Sequence, residues 1–223
     1  MKKLLLYILF IFITTHAFAQ KDAQAKAILK QVSDKYRTYA VIKSDFTFTI
    51  DNPQVGAKDT RNGSLITQTK GNKYHITLYA AGSNADIEQE IINDSKSQWT
   101  YLKKDKEVQL ADANTGSEGF NPAQLFTLYE HGYKYLYTGD QKIAGKTYQG
   151  IDLTPENDKS PYFKIRLLID KVKKQIYSAL IFDRSGSKYN YTVRSFTTSA
   201  KVPDNTFTFD AKAHPGVEVV NLK

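Results

Sequence analysis

Residues 22–51 read DAQAKAILKQVSDKYRTYAVIKSDFTFTID, and within this stretch the spacing of apolar residues changes from helical to extended. Ala25, Ile28, Leu29, Val32, Tyr36 and Tyr39 recur at steps of three and four, which makes one stripe of an amphipathic helix that Asp22 can cap. Lys26, Lys30 and Lys35 stay off most of that stripe. Further on the step is two. Phe46, Phe48 and Ile50 alternate with Thr47, Thr49 and Asp51, as in a strand with one apolar and one polar face.

Working towards the C-terminus, the step of two keeps returning. Tyr74, Ile76 and Leu78 alternate with His75, Thr77 and Tyr79, and Trp99 and Tyr101 alternate with Gln98 and Thr100. Ile165, Leu167 and Ile169, the run from Ile176 to Phe182, then Tyr189, Tyr191 and Val193, and finally Phe207 and Phe209 continue it. Turn chemistry stands between these runs at Asn62-Gly63, Lys70-Gly71, Ala144-Gly145 and Asp183-Arg184-Ser185-Gly186. Strands joined by short turns must run antiparallel, because a parallel pair needs a crossover of a dozen residues or more. One element interrupts the meander. Asn121 can cap a helix, Pro122 suits its first position, Gly132 can close it, and Leu125, Phe126, Leu128 and Tyr129 give it a second stripe. The expected fold is α+β and mainly β. It is a curved antiparallel sheet of about nine to eleven strands, the shape of a half-barrel, with amphipathic helices over the concave face.

Towards the N-terminus, Lys2 and Lys3 precede an unbroken apolar run from Leu4 to Ile13, and Ala17-Phe18-Ala19 supplies a small-x-small cleavage site. Residues 1–19 therefore read as a secretory signal peptide cut after Ala19, since the run is far short of the roughly 20 residues that span a membrane. Residues 20–223 then read as one domain, with no repeat, low-complexity stretch or Pro/Gly-rich linker to divide them. No cysteine occurs, which excludes disulfides, thiolate chemistry and an acylated lipobox. The expected product is an exported, periplasmic, untethered protein.

Loss of Lys2 and Lys3 lowers the formal charge from +8 to +6. Export argues against nucleic acid, and the basic residues are interleaved with acids rather than gathered into long runs. Enzyme chemistry lacks its cues. His75, His131 and His214 are scattered, and neither a metal-binding HExxH nor a GxSxG elbow, P-loop or dinucleotide fingerprint is present. His75 alternates away from the apolar face of its strand, which suits a surface role. Glu88, Glu90 and Asp94 are not set apart from ordinary surface carboxylates. No catalytic residue, metal or cofactor is expected.

At Ile91-Ile92-Asn93-Asp94 followed by Trp99-Thr100-Tyr101 the sequence resembles the LolA family of periplasmic lipoprotein carriers. Other segments agree in order: Ser44-Asp45-Phe46-Thr47, Gly63-Ser64-Leu65, Asn121-Pro122, Ile151-Asp152-Leu153-Thr154-Pro155, Val202-Pro203-Asp204, Phe207-Thr208-Phe209 and Gly216-Val217-Glu218-Val219. Each motif is weak alone, but the collinear set covers almost all of residues 20–223. There are departures. Many members carry Arg-Pro where this chain has Lys70-Gly71, and Asp-Gly where it has Asp94-Ser95. A lysine lacks the guanidinium fork, so hydrogen bonds such an arginine makes to lock a lid are weakened or absent.

The resemblance implies a monomeric carrier, without stable membrane insertion, that binds acyl chains of lipoproteins in an apolar cavity. It would take acylated lipoproteins from an inner-membrane lipoprotein-releasing transporter to an outer-membrane acceptor. By position Tyr74, Ile76, Leu78, Ile91, Trp99 and Tyr101 would line the cavity, and Leu125 and Phe126 would lie on its lid. Phe46, Phe48, Tyr129, Leu167 and Ile169 complete the candidate set, with Lys70 a candidate for lid release. A second reading keeps the fold but gives it another envelope lipid or a sensor role, and a third makes it an envelope hydrolase.

Overall fold

The computed structural model describes residues 22–113, 126, 127, 129, 132–199 and 201–223. Residues 22–36 form the expected opening helix, α1, with Ala25, Ile28, Leu29, Val32 and Tyr36 all buried. The stripe is thus used in full. Six strands follow: β1 (Val41–Asn52), β2 (Ala57–Gln68), β3 (Lys73–Tyr79), β4 (Ile87–Asn93), β5 (Ser97–Leu102) and β6 (Glu107–Asp112). Five more strands then run as β7 (Tyr133–Ile143), β8 (Lys146–Pro155), β9 (Tyr162–Asp170), β10 (Gln175–Asp183) and β11 (Lys188–Val193). Two short strands end the chain, β12 (Thr197–Ser199) and β13 (Glu218–Asn221).

All of them belong to one sheet, in the order β13-β6-β5-β4-β3-β2-β1-β11-β10-β9-β8-β7, with β12 on β1. The fold is mainly β, as the sequence suggests, but the count is thirteen strands rather than about nine to eleven. Two of the thirteen, β12 and β13, span only three and four residues, too short to show an alternation. β13 also pairs parallel with β6, so the sheet is not wholly antiparallel. Among the described residues α1 is the only α-helix. Asn121, Pro122 and Leu125 of the expected second helix lie outside the described residues, as do residues 1–19 of the expected signal peptide.

Two details correct the reading of turns and strands. Asn62-Gly63 is not a turn but the middle of β2, where Phe46 stands opposite Gly63. A Cβ at Gly63 would lie 2.5 Å from the Phe46 ring and 2.9 Å from the Thr77 carbonyl oxygen. The glycine therefore makes room for an aromatic ring laid across the sheet. Phe207 does not extend a final strand. It closes a 3-10 turn, Asp204–Phe207, and is buried.

The sheet is curved. Residues of β1 to β3 and of β8 to β11 share one buried cluster with α1. In sheet order β3 to β8 is seven strands. That is about 29 Å across a flat sheet at about 4.8 Å per strand, while a helix is only about 10 Å thick. One helix reaches both sides because the sheet wraps round it, and the wrapped face is the concave, inner one. The outer face of β3 to β6 is crossed by the C-terminal segment, whose Phe209 and His214 pack on Tyr101.

Candidate functional site

The inner face has two kinds of wall. On β8, β9 and β10 it is aliphatic: Ile151, Leu153, Ile165, Leu167 and Ile169 have no exposed surface, and Ile176 and Ile181 have almost none. On β1, β11 and the covering segments it is aromatic. Phe48 stacks on Tyr191 at 4.5 Å between ring centroids and lies nearly parallel to Tyr189. Tyr36 meets Phe126 edge-on at 5.2 Å and stacks on Phe196 at 5.7 Å. α1 fills the middle and is pinned at its C-terminal end: the Ile176 amide N–H donates to Tyr36 Oη, and Lys35 donates to the Lys173 carbonyl.

Among the described residues, clefts open at either end of α1's groove. The first, about 260 Å³, is lined by Ser33, Tyr36, Arg37, Thr69, Lys70, Phe126 and Thr127. The second, about 150 Å³, is lined by Phe48, Pro161, Tyr162, Ile181, Asp183, Tyr189 and Tyr191. Pockets that take a whole small ligand run to about 300–1,000 Å³, so neither alone houses a long hydrocarbon chain. A continuous channel between them exists only if α1 shifts, since Ile28, Leu29 and Val32 stand between sheet and solvent. The tyrosine hydroxyls of the walls stay protonated. Burial pushes the Tyr36 and Tyr191 hydroxyls well above the ordinary tyrosine range. Burial, and then the hydrogen bond with Tyr162, does the same to Tyr133.

The candidates distribute unevenly. Phe46, Tyr74, Ile76, Phe126, Tyr129, Leu167 and Ile169 are in the buried cluster beneath α1, and Phe48, Leu78 and Ile91 pack at its margin. Lys70 stands on the rim of the first cleft with Arg37, and Leu125 is outside the described residues. Trp99 and Tyr101 are placed differently from expectation. Trp99 pairs with Ile92 and Tyr101 with Glu90, while inward Ile91 pairs with Thr100. Both aromatics therefore face outward, and the C-terminal segment rather than a cavity receives Tyr101. Alternation shows which residues share a face but not which face is concave. Tyr162, Tyr189, Tyr191 and Phe196 were not singled out from sequence, although the alternation of Tyr189 with Tyr191 was legible.

His75, assigned to the surface, lies on the outer face but is covered. Its Nε2 is 2.8 Å from Glu90 Oε1 and its Nδ1 is 3.1 Å from the Thr206 carbonyl oxygen. His214 approaches the other Glu90 oxygen at 3.8 Å, so this buried carboxylate pins the C-terminal segment to the sheet. Among the described residues no group of three His, Asp or Glu side chains is placed to hold a metal ion, and no helix is long and apolar enough to cross a membrane.

Compared with known proteins, residues 37–210 match the family described as outer membrane lipoprotein carrier protein LolA. No curated protein matches the chain. Among solved structures, an uncharacterized conserved protein from Thermus thermophilus is 10% identical with a TM-score of 0.59, covering 89% of this chain and 99% of its own. A DUF1329 family protein from Desulfovibrio piger is 14% identical with a TM-score of 0.50, covering 85% and 98%. A LolA superfamily protein from Nitrosomonas europaea is 13% identical with a TM-score of 0.46, covering 84% and 98%.

Proposed function

The chain belongs to the LolA family, and from that premise we propose that it is a periplasmic, non-catalytic carrier of lipoprotein acyl chains between inner and outer membrane. Its signal peptide, residues 1–19, is removed on export. An inner-membrane transporter loads it and an outer-membrane acceptor unloads it. The physical need is large. At ~0.8 kcal/mol per methylene, an acyl chain of about 15 methylenes costs on the order of 12 kcal/mol to leave in water. A carrier has to hide such a chain and still release it. Closure of an empty cavity does both, because the closed contacts offset part of the binding energy of the guest.

The observation that carries the reading is a predominantly apolar inner face, covered by one amphipathic helix and bordered by a cleft at either end. When α1 lifts, the two clefts merge over Phe46, Phe48 and Tyr74. The aliphatic wall anchors the fold on one side, and the aromatic side supplies stiff rings that keep a space from collapsing. Phe126 and Tyr129 form part of the cover, with Lys70 and Arg37 at the rim to meet polar or anionic groups where the acyl chains join the cargo.

The test is delipidated protein titrated with a fluorescent fatty-acid analogue. Saturable binding at micromolar ligand is expected, and its absence would refute the carrier reading. Mass spectrometry of material co-purified from the envelope decides the cargo. Triacylated polypeptide supports lipoprotein carriage. Free lipid alone points to a lipid-binding protein of the same fold, and turnover of an ester or glycoside panel would point to a hydrolase.

A further inference from the structure

The carrier reading leaves unused the end of the sheet formed by the β7–β8 and β9–β10 turns. We propose that this end docks the protein onto an anionic lipid bilayer, with Val172 entering the headgroup layer between lysines.

The β9–β10 turn reads Lys171-Val172-Lys173-Lys174. Val172 is 88% exposed, the most exposed large apolar residue among those described. The turn is held rigid. Asp170 Oδ1 accepts from the Val172 and Lys173 amides at 2.9 and 2.7 Å, and Lys174 closes the turn at a φ of +49°. The neighbouring β7–β8 turn brings Lys142 and Lys146 alongside, the two being joined by the Lys171 amide on the Thr147 carbonyl at 3.0 Å. Both nearby carboxylates are already engaged, Asp170 by the turn and Asp140 by Lys171 Nζ at 2.7 Å and Tyr137. The surface is therefore cationic round an apolar tip.

Beside the tip lies a cleft of about 190 Å³ whose lining includes Lys146, Lys173 and Arg194, next to the stacked rings of Tyr148 and Tyr177. None of these three cations makes an ion pair among the described residues. A phosphodiester headgroup matches that chemistry. A bilayer fits better than an acidic protein surface, because an apolar side chain projecting alone between lysines finds hydrocarbon just beneath the phosphates. The opposite end of the sheet provides a contrast. Val55, 73% exposed on the β1–β2 turn, is flanked by Asp51, Asp59 and one lysine, Lys58, and has no such setting.

The experiment uses the exported protein recovered from the periplasm of an expressing host. It is sedimented with phosphatidylglycerol-containing vesicles and with neutral phosphatidylcholine vesicles. The proposal expects binding to the first only, weakening as salt is raised. The double variant Val172→Glu with Lys173→Glu should lose roughly tenfold or more of that binding. Val55→Glu should bind like the parent. Uptake of the fatty-acid analogue should be the same in all three, which separates this inference from the carrier reading. Equal binding to neutral vesicles, no binding to anionic ones, or full binding by the double variant would overturn it. So would capture of a polyglutamate peptide by the same turn in a protein that ignores vesicles.

Discussion

The two walls of the inner face divide stability from access. Over β8 to β10 the wall consists largely of branched aliphatics with little or no exposed surface, which pack against α1, and Ile181 at its edge borders the second cleft. Over β1 and β11 the wall consists of rings, several of them only partly buried, and both clefts lie at its ends. The rings meet in stacked and edge-on pairs, and the clefts lie beside those pairs. One face of one sheet can thus be a core on one side and a binding surface on the other.

Substitution tests the division directly. Ile165→Ala, on the aliphatic wall, should destabilise the protein by about 2–5 kcal/mol in denaturant unfolding, with no change in ligand affinity per folded molecule. Tyr36→Phe, at the junction of the two walls, removes the acceptor of the Ile176 amide and should cost about 1–3 kcal/mol. If the junction is where α1 pivots, the same change should speed ligand entry in stopped-flow measurements. Phe48→Ala, on the aromatic wall, should cost clearly less stability than Ile165→Ala yet weaken acyl binding severalfold. Equal behaviour of Phe48→Ala and Ile165→Ala would erase the distinction.

Smaller effects sharpen it from outside the inner face. Ser95 adopts a φ of +80° in the β4–β5 turn, where the family pattern places glycine. Ser95→Gly should raise stability by roughly 0.5–1 kcal/mol and leave binding alone. Asp140 is held below the ordinary aspartate range first by the Lys171 hydrogen bond and then by that of Tyr137. A lowered carboxylate stabilises the fold above its unfolded value, about 3.9, and loses that contribution as pH falls through the lower folded value. Asp140→Asn should therefore leave a stability profile slightly flatter below about pH 4.

Much of this was legible in the chain. The shift from steps of three and four to steps of two placed α1 and β1, and the aromatic pair Tyr189 and Tyr191 lies on a strand as its alternation suggested. The glycine of Asn62-Gly63 was misread because composition cannot separate a residue that turns the chain from one that clears space for a ring across a strand. Trp99 and Tyr101 were placed on the wrong face because period two has no sign. The C-terminal segment matches the family pattern, but its place on the outer face is not legible in sequence because what holds it, Glu90 between His75 and His214, joins residues far apart in sequence.

The claim on which the rest depends is that α1 must move away from the aromatic wall before a hydrocarbon guest enters. The chain has no cysteine, so Ser33→Cys on α1 and Thr69→Cys across the first cleft give a unique pair for a short bifunctional maleimide. The cross-linked protein should fail to take up the fatty-acid analogue, while the same variant with each thiol capped separately should bind it like the parent. Undiminished uptake by the cross-linked protein would contradict the account.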